Sequence, residues 1–254
     1  MQSFLPKYRK SPFGGRPRSD LRKIANGIFY VLRTGCQWKA APREFAPGST
    51  LHDYFQEWAR RHVLHKLWKY LLRQYDELQG IQWEWQSLDG STAKAPLGGK
   101  KTGKNPTDRG KLGVKRSVLT DGRGVPLGVA IAGANVHDQK LFHATLSSLP
   151  IRRPHPTARR PQHLCCDKGY DAAIIHREAR RRRYIPHIKS RGEEQIAKRI
   201  RGRRARRWVV ERIASWMNRF RRIFIRWEKK AINYEALIHW TLAYITWKQI
   251  RVFG

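Results

Sequence analysis

The sequence is short of cysteine, of carboxylates and of long apolar runs, and each shortage excludes something. Its 254 residues hold three cysteines, Cys36, Cys165 and Cys166. They are too few for a disulfide framework, and their spacing fits no four-ligand zinc site. Such sparing use suits a reducing cytoplasm, which is the expected location. The longest uncharged apolar stretch, Ala236 to Trp247, is twelve residues long and contains His239. A membrane-crossing helix needs about 20 such residues. The opening residues (Met1, Gln2, Ser3, then Pro6 and Lys7) contain no apolar signal-peptide core. A membrane protein and a small secreted disulfide protein are therefore both excluded. Acids number 19 against 53 Lys and Arg, leaving a formal charge of +34.

What is present reads as a folded protein with a polyanionic partner. Apolar residues make up 40% of the chain and aromatics 11%, with ten Trp, far from the composition of a disordered polybasic tail. The length allows one or two domains with a real core. A charge of this size repels itself strongly, and nucleic acid is its natural counterpart. The excess is concentrated: residues 151–230 hold 26 Lys and Arg against seven acids, chiefly in the runs Arg180 to Arg183 and Arg199 to Arg207. A solvated helix face would be interleaved with acids at i+4, and here they are mostly missing. Trp208, Trp216 and Trp227 lie among these arginines at helical spacing, which points to core packing rather than base stacking.

The periodicity divides the chain. Ser19 is a candidate cap for a helix from Asp20 to Thr34, with Leu21, Ile24, Ile28, Val31 and Leu32 on one stripe and Gly35 as its stop. Thr50 and Asp53 form a capping-box-like start for Leu51 to Trp58, and a third helix is expected over Val63 to Leu78. Residues 1–80 thus read as a small all-helical domain, and 81–254 as a second domain. Strands are expected at Trp83 to Leu88, Val114 to Thr120 with the turn Asp121-Gly122, Val125 to Ala132, His163 to Cys166 and Tyr184 to Lys189. Helices are expected at Gln139 to Leu149, Ala172 to Arg183, Ala205 to Lys230 as one long element, and Tyr234 to Val252. A three-stranded meander followed by βα alternation describes an α/β domain, a mixed sheet flanked by helices.

With so few carboxylates, their placement is informative. Asp89 and Asp167 each end a short apolar run, where an acid is costly unless it is paired or binds a metal. Glu211 sits on the long helix off the Val209/Ile213/Phe220 stripe, sharing a face with Arg207, Ser215, Asn218 and Arg222. That placement suits a polar groove or bulk water. Two strand ends and a helix could together hold two Mg²⁺ ions on oxygen ligands; as isolated acids, the three read equally as caps, turn residues or surface charges. Gly98, Gly103, Lys104 and Asn105 nearly make a phosphate loop, but Asn105 stands where Ser or Thr is needed and Pro106 follows, so an ATPase is excluded. Lys100, Lys101, Lys104, Arg109 and Lys111 in that loop read instead as phosphate grips. Asp138 reads as a turn and helix cap before Gln139. The histidines show no zinc pattern, and His62 and His65 belong to an ordinary helix.

Several stretches together resemble bacterial insertion-sequence transposases of the insertion-sequence-five type, within the DDE superfamily. They are Leu88-Asp89-Gly90-Ser91-Thr92, Lys101 to Gly110, Gly133 to Asp138, Cys166 to Asp171 and Arg207 to Arg212, with helical stretches before them from Gly15 to Pro42 and Ser49 to Trp58. The resemblance spans residues 14–250. It implies a ribonuclease H-like core after a helical, helix-turn-helix-like domain that recognises DNA ends. It also implies Asp89, Asp167 and Glu211 as the acidic triad on two divalent cations (Mg²⁺, with Mn²⁺ as a substitute). The implied chemistry is cleavage at terminal inverted repeats and direct transfer of the 3′-hydroxyl to target double-stranded DNA, with no nucleophilic role for Ser91 or Tyr170. Synapsis of two ends implies a homodimer or larger assembly. Lys168, Arg204, Arg207, Arg212, Arg219 and Arg222 join the loop cations as DNA contacts. His137 and Asp138 become a site-lining or structural pair. Relatives often carry Tyr, Arg and Lys around the last acid; here Arg207 matches, while Arg204 and Asn218 replace the Tyr and Lys. The rival readings are a non-catalytic basic nucleic-acid-binding protein and a ribonuclease H-like nuclease that cuts without transfer.

Overall fold

The computed structural model describes residues 4–6, 14, 18–188 and 208–251, with the side chains of 212–250 in the last stretch. Three helices come first: α1 (Leu21–Thr34), α2 (Gly48–Arg60) and α3 (Val63–Gln79). Asp20, rather than Ser19, caps α1, its Oδ1 accepting from the Arg22 backbone N–H at 2.8 Å. Gly35 stops the helix in the left-handed region, donating its N–H to Val31 O. α2 begins earlier than the Thr50 pattern suggests, at Gly48 behind Pro47, with no side-chain cap. The expected apolar stripes are buried, with Ile24, Ile28, Val31 and Leu32 on α1 and Leu51, Phe55 and Trp58 on α2.

Among the described residues six strands follow: β1 (Trp85–Lys94), β2 (Gly103–Lys104), β3 (Leu112–Thr120), β4 (Pro126–Gly133), β5 (His163–Cys166) and β6 (Ile185–Ile188). β1, β3 and β4 form an antiparallel meander, and β5 and β6 run parallel to β1, giving the order β4-β3-β1-β5-β6. β2 extends the β3 edge. The helices are α4 (Asp138–Ser147), α5 (Ala173–Arg181), α6 (Trp208–Asn218), α7 (Arg221–Phe224) and α8 (Ala231–Arg251). α4 covers one face of the sheet, where Thr145 Oγ1 donates to Ser117 Oγ at 2.8 Å. α6 and α7 cover the other, where Arg116 Nη1 donates to Ile223 O at 3.3 Å. A meander with two following parallel strands and helices on both faces is a ribonuclease H-like arrangement.

Two expectations change here. β1 runs on past Asp89 to Lys94, because β3 pairs with every residue from Ser87 to Lys94 and satisfies the polar Gly-Ser-Thr stretch. The single long helix over 205–230 is broken after Asn218. Phe220 leaves helical geometry, and Ile225 is extended and bridges to Lys94 of β1. Trp227 is accordingly 40% exposed, whereas Trp216 packs against the core. Lys189, Val252 and the Arg199–Arg207 run lie outside the described residues.

The first helices are joined to the sheet in two ways. α8 packs along α2 and α3, and Phe29 of α1 meets Phe220, Trp240 and Tyr244. The second join is Asp121, fully buried at the β3–β4 turn. Its Oδ1 accepts from Arg123 N and Val125 N at 2.9 and 2.8 Å, and its Oδ2 from Tyr75 OH and Gln82 N at 3.2 and 3.3 Å. One carboxylate thus shapes the turn and holds α3 to it. Burial raises the Asp121 pKa against these hydrogen bonds, and burial beside that acid pushes Tyr75 up to about 12.

Candidate active site

The β1–β5 ladder pairs Trp85 with His163 and ends at Leu88 with Cys166, a constant offset of 78 residues. Asp89 and Asp167 share that offset and occupy the next step, one residue beyond the last pair. Adjacent strands lie about 4.8 Å apart, and side chains alternate, so the two aspartates leave neighbouring strands on one face. Both are half-buried. The Cys166 thiol, raised first by burial and then by Cys165, also feels the fields of Asp89 and Asp167. Asp167 additionally caps the turn after β5, Oδ1 accepting from Lys168 N at 2.8 Å.

The face that carries Asp89 also carries Ser91 and, across the β1–β3 pairing, Arg116 and Val118. Arg116 reaches α7, so this is the side on which α6 and α7 lie. Glu211 belongs to the first turn of α6, and its side chain lies outside the described residues. Among the described residues no three His, Cys, Asp or Glu converge as a metal site. The described donors are the two carboxylates, hard oxygen ligands of the kind Mg²⁺ and Mn²⁺ take.

The candidate DNA-contact cations separate by environment. Lys100, Lys104, Arg109, Lys111, Lys168 and Arg219 are exposed. Lys101 is exposed but ion-paired with Glu235 at 2.7 Å. Arg212 is exposed, with a hydrogen bond to Arg123 O at 3.4 Å and its guanidinium 5.7 Å from the Trp216 ring centroid. Arg204 and Arg207 lie outside the described residues. Arg222 is a correction. Its side chain is only 9% exposed, Nε donates to Glu228 Oε1 at 2.8 Å and Nη1 to Cys36 O at 3.1 Å, so it holds the fold together instead of meeting phosphate. Part of the Arg180–Arg183 run is also engaged. Glu178 takes Arg181 and Arg182, whose hydrogen bonds hold its carboxyl down to about 2.

Two further residues shape this region, Arg226, which the sequence did not single out, and Asp138, which it offered as a helix cap or as a partner of His137. Arg226 is buried, and among the described residues its guanidinium donates to four carbonyls: Lys100 O, Lys101 O, Glu228 O and Lys229 O. It pins the basic β1–β2 loop to the segment before α8. The signal available was Gly99, which has positive φ and lies where a side chain would strike Lys229. Asp138 is the second. The N-cap of α4 is His137, and Asp138 caps nothing; it pairs with Lys115 of β3 at 3.1 Å.

Comparison with known proteins gives the family. Residues 86–246 match the family described as "Transposase DDE domain", a span that includes Asp89, Asp167 and Glu211. Residues 1–68 match "Putative transposase of IS4/5 family". The chain is similar to the "Putative transposase for insertion sequence element IS402" of Burkholderia cepacia, with 38% identity over 157 residues, 61% of this chain and 72% of the relative. It is also similar to the "Insertion element IS402 uncharacterized 16.2 kDa protein" of the same organism, with 30% identity over 40% of this chain and 70% of that one. Among solved structures, a pre-cleavage Mos1 transpososome aligns with 97% of this chain and 83% of its own, at a TM-score of 0.32 and 9% identity. With its ribonuclease H-like sheet and these family matches, the chain belongs to the DDE transposases of the IS4/5 type and is a DNA transposase.

Proposed function

We propose that this transposase binds the terminal inverted repeats of its element and cuts and joins DNA strands at a site built from Asp89, Asp167 and Glu211. The carrying observation is the shared register step of the two aspartates at the end of the β1–β5 ladder. Two carboxylates on neighbouring strands repel unless cations sit between them. An all-oxygen donor set, half-open to solvent, fits two Mg²⁺ or Mn²⁺ ions, with Glu211 of α6 as the third ligand. When bound, such ions supply the charge that acidifies a water or a DNA 3′-hydroxyl and stabilises the leaving 3′-oxygen.

The chain's own residues do the rest. The carboxylates hold the reacting phosphate's counter-charge in place and take no covalent part. Tyr170, buried and hydrogen-bonded toward Ser117 with its phenol pKa raised, does not act as a nucleophile. Lys168, next to Asp167, faces the phosphate beside the cut. The β1–β2 loop lies beyond Lys94, five residues along β1 from Asp89, or about 17 Å at 3.3 Å per residue. Lys100, Lys104, Arg109 and Lys111 there grip the duplex about five base pairs away from the cut. Residues 1–80 form the end-recognition domain and 81–254 the catalytic domain, α1–α3 reading the repeats as a helix-turn-helix-like unit. Two protomers hold the two ends, and the protein works in the cytoplasm on the nucleoid.

The test uses duplexes carrying the inverted repeats that flank the coding region. With Mg²⁺, the protein nicks at the repeat boundary and joins the 3′-ends to a second duplex. Asp89→Asn, Asp167→Asn and Glu211→Gln each abolish nicking while binding the duplex normally in EDTA. Nicking by Asp89→Asn at a near-normal rate overturns the assignment.

A further inference from the structure

The ladder between β1 and β5 stops at Leu88 and Cys166, so backbone pairing does not itself fix the spacing of the aspartates one step further on. Each aspartate is followed closely by a glycine: Gly90 directly after Asp89, and Gly169 two residues after Asp167. Strand alternation turns Gly90 toward the face opposite Asp89, the face of Ser117 and Lys115. Asp138, from the first turn of α4, fills that space. Its Oδ1 lies 2.5 Å from where a Gly90 Cβ would be, and its Oδ2 lies 3.5 Å from where a Gly169 Cβ would be. Lys115, only 12% exposed, grips Oδ1 at 3.1 Å, and its Cδ lies 3.9 Å from the same Gly90 position. The nearby Tyr170 phenol feels the Asp138 charge as well. One carboxylate, neutralised by one lysine, is thus wedged behind both segments that carry the aspartates.

We propose that Asp138, braced by Lys115, is a positioning residue whose carboxylate, seated behind Gly90 and Gly169, sets the separation at which Asp89 and Asp167 share cations. The inference rests on the metal-binding reading of those aspartates. Gly90 is glycine for a steric reason: any Cβ there displaces the wedge. Gly169 is less constrained, because its Cβ would make ordinary contact.

The experiment measures Mn²⁺ binding to the full chain by electron paramagnetic resonance, beside nicking of end duplexes as a function of Mn²⁺. Melting temperature and end binding in EDTA confirm that each variant is folded. Asp138→Asn and Gly90→Ala should each raise the half-saturating Mn²⁺ concentration by about tenfold or more, and shift the nicking midpoint in step. Gly169→Ala should stay within about twofold of the unaltered protein. Asp138→Asn, nearly isosteric, carries the test alone if Gly90→Ala does not fold. Mn²⁺ binding by folded Asp138→Asn or folded Gly90→Ala within about twofold of the unaltered protein overturns the proposal. The Asp89→Asn protein separates the two layers: if it still binds Mn²⁺ and nicks, the metal reading itself fails, whatever Asp138 does.

Discussion

His239 makes the joint between the first helices and α8 sensitive to acid. Its ring is largely but not fully buried on α8, stacked on Trp68 of α3 at 5.6 Å between centroids, with the His65 ring 4.9 Å away. Burial, followed by the nearby His65 and His62, holds its pKa down to about 3, against 6.5 for an ordinary histidine. A folded-state pKa below the unfolded value means that the unfolded chain takes up the proton first. The contribution of this site is therefore complete above the unfolded pKa and is lost progressively as the pH falls from 6.5 toward 3. At about 1.36 kcal/mol per unit, lowering the pH to 5 removes about 2 kcal/mol, a large share of a domain's net stability. His65 titrates in the same direction, its pKa lowered by burial, while the raised pKa values of Glu228 and Asp121 act in the opposite sense. Comparison with His239→Leu cancels those groups. Urea unfolding at pH 7 and pH 5, at constant ionic strength, should show the unaltered protein losing about 2 kcal/mol more than the variant. Equal losses in the two proteins refute the reasoning.

Further outcomes concern the cations and the buried acid. Replacing Lys100, Lys104, Arg109 and Lys111 together with Gln should lower the slope of log affinity against log salt by about 3 to 4 for end DNA, read by fluorescence anisotropy. Arg222→Gln should leave that slope unchanged and lower the melting temperature, because it strands Glu228 in the interior. Asp121→Ala removes the acceptor of four hydrogen bonds at once and should cost about 3 kcal/mol or more in chemical unfolding.

The legible parts of the fold were those written as local pattern. The α1 stripe from Leu21 to Leu32 and the short apolar runs of β3, β4 and β5 fold as their periodicity indicates, and their order is enough to specify the mixed sheet. The misread parts depend on partners distant in sequence. Gly90-Ser91-Thr92 resembles a loop until β3 supplies its hydrogen bonds. The heptad-like run through Phe220 and Trp227 resembles one helix until Ile225 is drawn into pairing with Lys94. Arg222 and Arg226 look like their neighbours in a cationic stretch; only the carbonyls and the single glutamate that meet them distinguish a buried guanidinium from a solvated one. At the candidate site, the interval between Asp89 and Asp167 had meaning only once the strand offset was known, and Asp138 resembled any acid at the start of a helix.

The packing of α8 against α2 and α3 has a consequence for biosynthesis. A ribosome delivers α1, α2 and α3 well over a hundred residues before the helix that completes their apolar surface, and folding proceeds in the order of delivery. Throughout that interval Trp58, Trp68 and Phe29 lack their final neighbours. Copies of the gene interrupted upstream of Ala231 should therefore yield sticky, proteolysis-prone fragments rather than a free-standing repeat-binding module.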